Sequence, residues 1–263
     1  MTMHYMRSGR GKPLLLIHGL GGSYRSWDTI APTLSKTREV IAIDLPGHGQ
    51  SPAEADSGTF AGLVRSLDEW LVSQNLTGID MVGSSMGARL VLEMARRGRA
   101  GAVVALDPGG VWQGWERTFF KTTIAASIKL VRAMHRMLPA ITGNVAGRTA
   151  LMFQLSARPW ALQPPLVLNE LRSFAGTPTF DTLVDDLATG PMQEGPAAKS
   201  APVVIGWGRK DRLCLPQQAR RALAAFPDAT IHWFAQSGHF PMWDQPQETV
   251  RVILASADRL QSQ

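Results

Sequence analysis

The chain has 263 residues, 44% of them hydrophobic and 18% charged, with 27 Lys plus Arg against 21 Asp plus Glu for a formal net charge of +6. That length and apolar content suffice for a large core in one domain, or in one domain carrying an insertion, and exclude a disordered chain. The single cysteine, Cys214, excludes an intramolecular disulfide and a cysteine-built zinc site and fits a reducing compartment.

The excess Lys and Arg are scattered, with no recognition helix and no aromatic-basic pattern, so no nucleic-acid partner is expected. The longest apolar run near the N-terminus is LLLI, far short of a signal-peptide core or a membrane span, which predicts a soluble cytoplasmic protein.

In chain order, PLLLIHG (13–19) reads as a strand, SYRSWDTIAPTLSK (23–36) as a helix and REVIAIDLP (38–46) as a strand. FAGLVRSLDEWLVSQN (60–75) has apolar residues at three- and four-residue spacing and predicts an amphipathic helix. GIDMVGS (78–84) is a strand running into the helical pattern SSMGARLVLEMARRG (84–98), and AGAVVALDP (100–108) is the next strand. The continuous apolar character of these strands suits burial on both faces. Alternating strand and helix implies an α/β fold with a mostly parallel sheet flanked by helices.

The alternation stops between Val111 and Ala198. There, TFFKTTIAASIKLVRAMHRML (118–138), ARPWALQPPLVLNELRSF (157–174) and FDTLVDDLATG (180–190) read as helices punctuated by Pro and Gly. The first carries Lys129, Arg132 and Arg136 on its polar side; packing within an insertion is preferred over lying on a membrane surface, and no stable membrane insertion is expected. Strands resume at APVVIGWG (201–208) and ATIHWFAQ (229–236). The expected organisation is a core of residues 1–110 and 199–263 with a helical cap over 111–198.

GSSMG (83–87) fits G-x-S-x-G at a strand-to-helix turn, with Ser85 in the middle. Such a turn needs glycines on both sides of the serine because side chains there would collide with the neighbouring strand or helix. A serine hydroxyl is a poor nucleophile near neutral pH, so the reading requires a base, an acid behind it and donors for a developing oxyanion. In an α/β sheet these belong beyond strand ends, in the order acid then histidine after the serine. Asp211 follows the strand APVVIGWG and His239 follows ATIHWFAQ, in that order.

Five elements, HGLGG (18–22), DLPGHGQS (44–51), VGSSMG (82–87), WGRKDRL (207–213) and SGHFPMWDQP (237–246), together resemble the α/β-hydrolase superfamily in its cap-bearing serine esterase-like branch. The resemblance spans nearly the whole chain. It implies Ser85 as nucleophile, His239 as general base and then acid, Asp211 as the carboxylate orienting His239, and an oxyanion hole from the backbone N–H groups of Leu20 and Met86. It further implies cleavage of a carboxylic ester or thioester through an acyl-serine, with an apolar acyl part if the aromatic residues of the cap wall the pocket. GRGKP (9–13) lacks the Ser or Thr of a phosphate loop, GLGGSY (19–24) lacks the last glycine of a dinucleotide fingerprint and no HExxH occurs, so no cofactor and no metal is expected. Perhydrolase, acyltransferase and carbon–carbon hydrolase chemistry on the same three residues stay open, as does a non-catalytic small-molecule receptor. Ser85 stands where haloalkane dehalogenases and epoxide hydrolases have aspartate, and Phe240 where hydrolases of ring-cleavage products usually have tryptophan.

Other residues receive duller expectations. Asp107 competes with Asp211 for the acid but is expected to stabilise the loop entering the cap. His18 and His48 are read as loop hydrogen-bonding residues, and His4, His135 and His232 as structural or exposed, without identifiable partners. Ser84 is off the motif's centre, and Cys214 is a packed thiol. Trp112, Trp115, Phe119, Phe120, Met152, Phe153 and Trp160 are expected mostly to form the cap's own core.

Overall fold

Residues 3–196 and 201–258 are described by the computed structural model. Seven strands, β1 (Tyr5–Ser8), β2 (Pro13–Ile17), β3 (Glu39–Ile43), β4 (Asp80–Ser84), β5 (Val103–Leu106), β6 (Val203–Gly208) and β7 (Thr230–Phe234), make one sheet in the order β1-β3-β2-β4-β5-β6-β7. Every neighbouring pair is parallel except β1 with β3, where Tyr5 faces Ile43 and Ser8 faces Val40. β1 is absent from the sequence reading because all four of its residues are exposed. An edge strand held by backbone pairing leaves no apolar run to detect.

The inner strands explain why their sequences are apolar throughout. Successive side chains point to opposite faces of a strand. Leu15, Ile17, Ile41, Ile43, Met81, Val103 and Ile205 accordingly fall into one buried cluster, and Leu14, Leu16, Val40, Ala42, Val82, Val104 and Val204 into another. Helix α2 (Phe60–Ser73) and helix α3 (Met86–Arg96) cover the first face with Leu67, Trp70, Leu90 and Met94. The 3-10 turn Tyr24–Trp27, helix α1 (Ala31–Leu34) and the C-terminal part of the chain cover the second with Trp27, Leu34, Val250 and Ile253. The single helix expected over 23–36 is therefore two short pieces. Pro32, which has no N–H to continue a ladder, opens the second of them.

Between β5 and β6 the described residues form only helices: α4 (Glu116–Ala133), α5 (Leu138–Gly143), α6 (Val145–Met152), α7 (Pro164–Gly176) and α8 (Phe180–Thr189), with short 3-10 turns. The continuous helix expected over 118–138 breaks after Ala133, and a new one starts with Pro139 in its first turn. Residues 197–200, where the 198/199 boundary falls, lie outside the described residues. After β6 come α9 (Ala219–Ala225), α10 (Pro241–Asp244) and α11 (Pro246–Asp258). Among the described residues no helix is long and apolar enough to cross a membrane.

Helix α7 packs against the 3-10 turn Tyr24–Trp27, and its Glu170 is buried there beside Ser26. Burial pushes the Glu170 carboxyl from its ordinary 4.5 up to about 8, against the opposing hydrogen bond to Ser26. The native state therefore holds a proton that the unfolded chain releases near pH 4.5, and stability falls as pH rises from there to about 8. Glu170→Gln removes the titration while keeping the shape. Its urea-unfolding free energy at pH 9 is expected to exceed that of the wild type by roughly 2–4 kcal/mol, with no gain at pH 4.

Candidate active site

The parallel strands end nearly flush: Ile17 is level with Gly83, Ser84 with Leu106, Leu106 with Gly206 and Gly208 with Phe234. The loops after β2, β4, β5, β6 and β7 thus converge on one rim, as sites of open α/β sheets do. Those loops carry Leu20, Ser85, Asp107, Asp211 and His239.

Ser85 stands between the last residue of β4 and the first of α3, at φ 56° and ψ −115°. A non-glycine residue at such angles costs on the order of 1–3 kcal/mol and persists only where its surroundings impose it. Here the imposition is backbone packing. A Cβ at Gly83 would lie 2.1 Å from the Gly87 carbonyl oxygen, and one at Gly87 would lie 2.2 Å from that of Ile17. The Ser85 N–H bonds to the Leu106 carbonyl at 2.9 Å. Since both obstacles are main chain, Gly87→Ala is expected to lower the unfolding free energy by at least about 3 kcal/mol, read from urea or thermal melts.

The loop after β2 leans on the same serine: a Cβ at Gly19 would meet that of Ser85 at 3.1 Å. His18 fixes this loop. Its Nε2 accepts from the Leu45 N–H at 3.0 Å, so its proton is on Nδ1, which donates to the Gly19 carbonyl at 2.7 Å. Burial pushes His18 down to about 4, so the ring stays neutral in this role. The DLPGHGQS stretch is scaffold: Asp44 accepts from Tyr24 N, Gln50 N and His4 Nδ1 at 2.7, 2.9 and 2.9 Å. His48 packs on the His18 ring with centroids 5.1 Å apart, and burial pushes it down to about 3. Met86 is the first residue of α3, so its N–H has no acceptor within the helix.

Asp211 and His239 meet across the rim, with His239 Nδ1 2.8 Å from Asp211 Oδ2. The other carboxyl oxygen, Oδ1, accepts from Leu213 N at 2.8 Å and Cys214 N at 3.1 Å. The His239 ring is buried, and among the described residues its Nε2 has no hydrogen-bond partner. The backbone of this loop is tied to the helical segment, with His239 N–H donating to the Leu155 carbonyl at 2.9 Å. Asp244 gathers Ser156 Oγ, Ala157 N and Gly238 N at 2.5, 2.8 and 2.8 Å.

Ser85, Met86, Leu20 and His239 line one cavity of about 80 Å³ roofed by the helical segment. The aromatic residues of that segment divide rather than forming one core. Trp112 and Phe120, stacked at 4.6 Å, wall the cavity, Met152 is buried, and Trp115, Phe153 and Trp160 are exposed by more than half. Unforeseen wall residues are Ile124 and Ile128, which continue from Phe120 in steps of four along one face of α4, and Arg89, four residues after Ser85 on α3. The i, i+4 spacing was the signal for both. Arg89 also faces a neighbouring cleft, where it stacks on Phe60 at 4.0 Å and donates to the Pro191 carbonyl at 2.5 Å.

Four expectations change or sharpen. Asp107 does not brace the loop toward the helical segment; its Oδ1 accepts from Gly208 N at 2.8 Å, tying the end of β5 to the end of β6. His4 and His232 do have partners, Asp44 and Glu248, each at 2.9 Å. Both pairs join elements distant in sequence. Ser84 is fully buried, and Cys214 is a packed thiol that burial and nearby carboxyls hold well above the ordinary cysteine value.

Among the described residues one trio of potential metal ligands, Asp211, Cys214 and His239, has donor atoms within 4.8 Å of one another. A metal there would need the thiolate that burial disfavours, and an Asp211 already engaged by two amides and an imidazole. The trio suits a hydrogen-bonded carboxylate–imidazole pair better than a cation.

Residues 14–252 match the profile of the Alpha/beta hydrolase family. An uncharacterized protein of Mycobacterium tuberculosis is 27% identical, over 94% of this chain and 75% of its own length. A 2-hydroxy-6-oxononadienedioate/2-hydroxy-6-oxononatrienedioate hydrolase of Dechloromonas aromatica is 25% identical over 97% of this chain and 90% of its own. Among solved structures, an esterase from Exiguobacterium antarcticum has a similar fold, with a TM-score of 0.78 at 16% identity, covering 97% of this chain and 95% of that one.

Proposed function

The chain belongs to the alpha/beta hydrolase family, and on that premise we propose that it is a cytoplasmic serine hydrolase cleaving carboxylic esters, or thioesters, with a short apolar acyl group. The observation that carries the reading is the state of His239. Its Nδ1 is held by Asp211 at 2.8 Å while its Nε2 has no partner among the described residues, and the ring lines the same cavity as Ser85. An imidazole held on one nitrogen and free on the other is arranged to accept a proton.

In the proposed reaction the Ser85 hydroxyl attacks the acyl carbonyl as Nε2 of His239 takes its proton, and the Asp211 carboxylate stabilises the imidazolium. The Leu20 and Met86 N–H groups receive the oxyanion, and His239 returns the proton to the departing alcohol or thiol. Water, activated by the same imidazole, then releases the acid. No cofactor or metal enters the scheme.

The walls support this substrate class. Trp112, Phe120, Ile124 and Ile128 present apolar surface, and a volume of about 80 Å³ admits a short chain, since benzene already occupies a void of about 150 Å³. The test is a series of p-nitrophenyl esters from acetate to dodecanoate. Highest kcat/KM between acetate and butyrate, falling by roughly tenfold or more at octanoate, supports the reading. A flat response at the rate of free solution along the whole series overturns it.

A further inference from the structure

One buried titratable side chain at the rim has no part in that scheme. Asp107 follows β5 at φ 47° and is fully buried. Its Oδ1 has a donor, the Gly208 N–H at 2.8 Å, but its Oδ2 is buried and has no hydrogen-bond donor among the described residues. An ionised oxygen in that position would have given up water for nothing, which is costly.

The neighbour within hydrogen-bonding reach is the Asp211 side chain, since the loops after β5 and β6 leave the sheet side by side. Asp211 already holds three donors, two backbone amides on Oδ1 and the His239 ring on Oδ2, and a carboxylate has room for one more. The other titratable groups facing this place are Asp244 and the Cys214 thiol, neither of which supplies positive charge. Two carboxylates in contact in a dry interior cannot both be charged, so the pair holds one proton. The donors decide where it sits, because three stabilise the charge on Asp211 and one stabilises it on Asp107.

We infer that Asp107 is a neutral carboxylic acid whose Oδ2–H donates to the Asp211 carboxylate, which makes it a positioning residue acting on His239 through Asp211. Burial and the adjacent Asp211 charge hold its carboxyl well above the ordinary aspartate value, in line with the geometry. The consequence for catalysis rests on the proposed ester hydrolase; the protonation does not.

Two measurements test it. Infrared spectra of wild type minus Asp107→Asn at pH 7 are expected to contain a carboxylic-acid C=O band that moves in D₂O; subtraction cancels the band of Glu170. Absence of that band overturns the inference, and because the spectra need no substrate, they decide it even if the protein hydrolyses no ester. With p-nitrophenyl acetate, Asp107→Asn, whose amide donates as the acid does, is expected to keep the midpoint of the acid limb of kcat/KM within about 0.3 pH unit. Asp107→Leu removes the donor, leaves Asp211 more basic and raises that midpoint by roughly 0.5–1 unit. A fall of about one unit in Asp107→Asn, the sign of losing an ionised neighbour, overturns the inference, as does an unmoved midpoint in a folded Asp107→Leu. If Asp107→Leu does not fold, the Asp107→Asn limb and the infrared band decide.

Discussion

Replacing Ser85 with alanine is expected to lower kcat on p-nitrophenyl acetate by at least about 10⁴-fold and to abolish labelling by a fluorophosphonate, with the thermal midpoint within a few degrees of wild type. In hydrolases of the serine–histidine–aspartate kind, loss of the nucleophile costs on the order of 10⁶ in kcat, and the residue left comes from oxyanion stabilisation and binding. Here the fold does not depend on the hydroxyl. The main chain imposes φ 56° through Gly83 and Gly87, and alanine meets the same strain as serine. A variant that is folded and still hydrolyses esters within tenfold of wild type would remove Ser85 from the chemistry and leave its sharp turn as a structural device only.

The second large effect is expected from Asp211→Asn, a fall in kcat of about 10⁴-fold with little change in KM, as the corresponding change does in the serine protease triad. The hydrogen bonds show why a one-atom change does this. Oδ1 of Asp211 accepts two backbone N–H groups, from Leu213 and Cys214, which an amide nitrogen cannot do. The asparagine oxygen must therefore stay on that side, and its NH₂ faces Nδ1 of His239, now 2.8 Å from Oδ2. The imidazole can accept that bond only by moving its proton to Nε2, the nitrogen proposed to take the proton of Ser85. Activity within tenfold of wild type in Asp211→Asn, measured as kcat on the preferred ester, is the result this account does not survive.

Both predictions concern residues that the sequence singles out. Ser85 is marked by Gly83 and Gly87, because the turn tolerates no side chain beside the serine, and that requirement is written locally. Asp211 and His239 are marked by following strands of the parallel sheet, since strand rhythm alone tells which ends share a rim. The strands themselves were legible because a strand buried on both faces must be apolar at every position, as in Leu14–Ile17 and Val103–Leu106.

What escaped the sequence shares a physical cause. β1 is held by backbone pairing to β3 with all its side chains in solvent, so nothing in YMRS betrays it. Which of the aromatic residues between Val111 and Ala198 wall a cavity and which form a core is open in the sequence, since an apolar residue is equally suited to either until the opposing element is known. His4, His232 and Glu170 acquired meaning only from partners brought to them by folding: Asp44, Glu248 and Ser26.

The sequence by itself determined the α/β rhythm, the seat of Ser85 and the order in which Asp211 and His239 follow strand ends, because each depends on local periodicity or local steric need. The tertiary structure alone decided that His239 bonds to Asp211, that Asp107 turns toward Asp211 instead of the helical segment, and which helix faces close over the serine. Those outcomes depend on distances and on solvent exclusion between segments far apart in the chain, and in the proposed proton assignment the donors around each carboxyl, not residue type, separate two aspartates that are both buried.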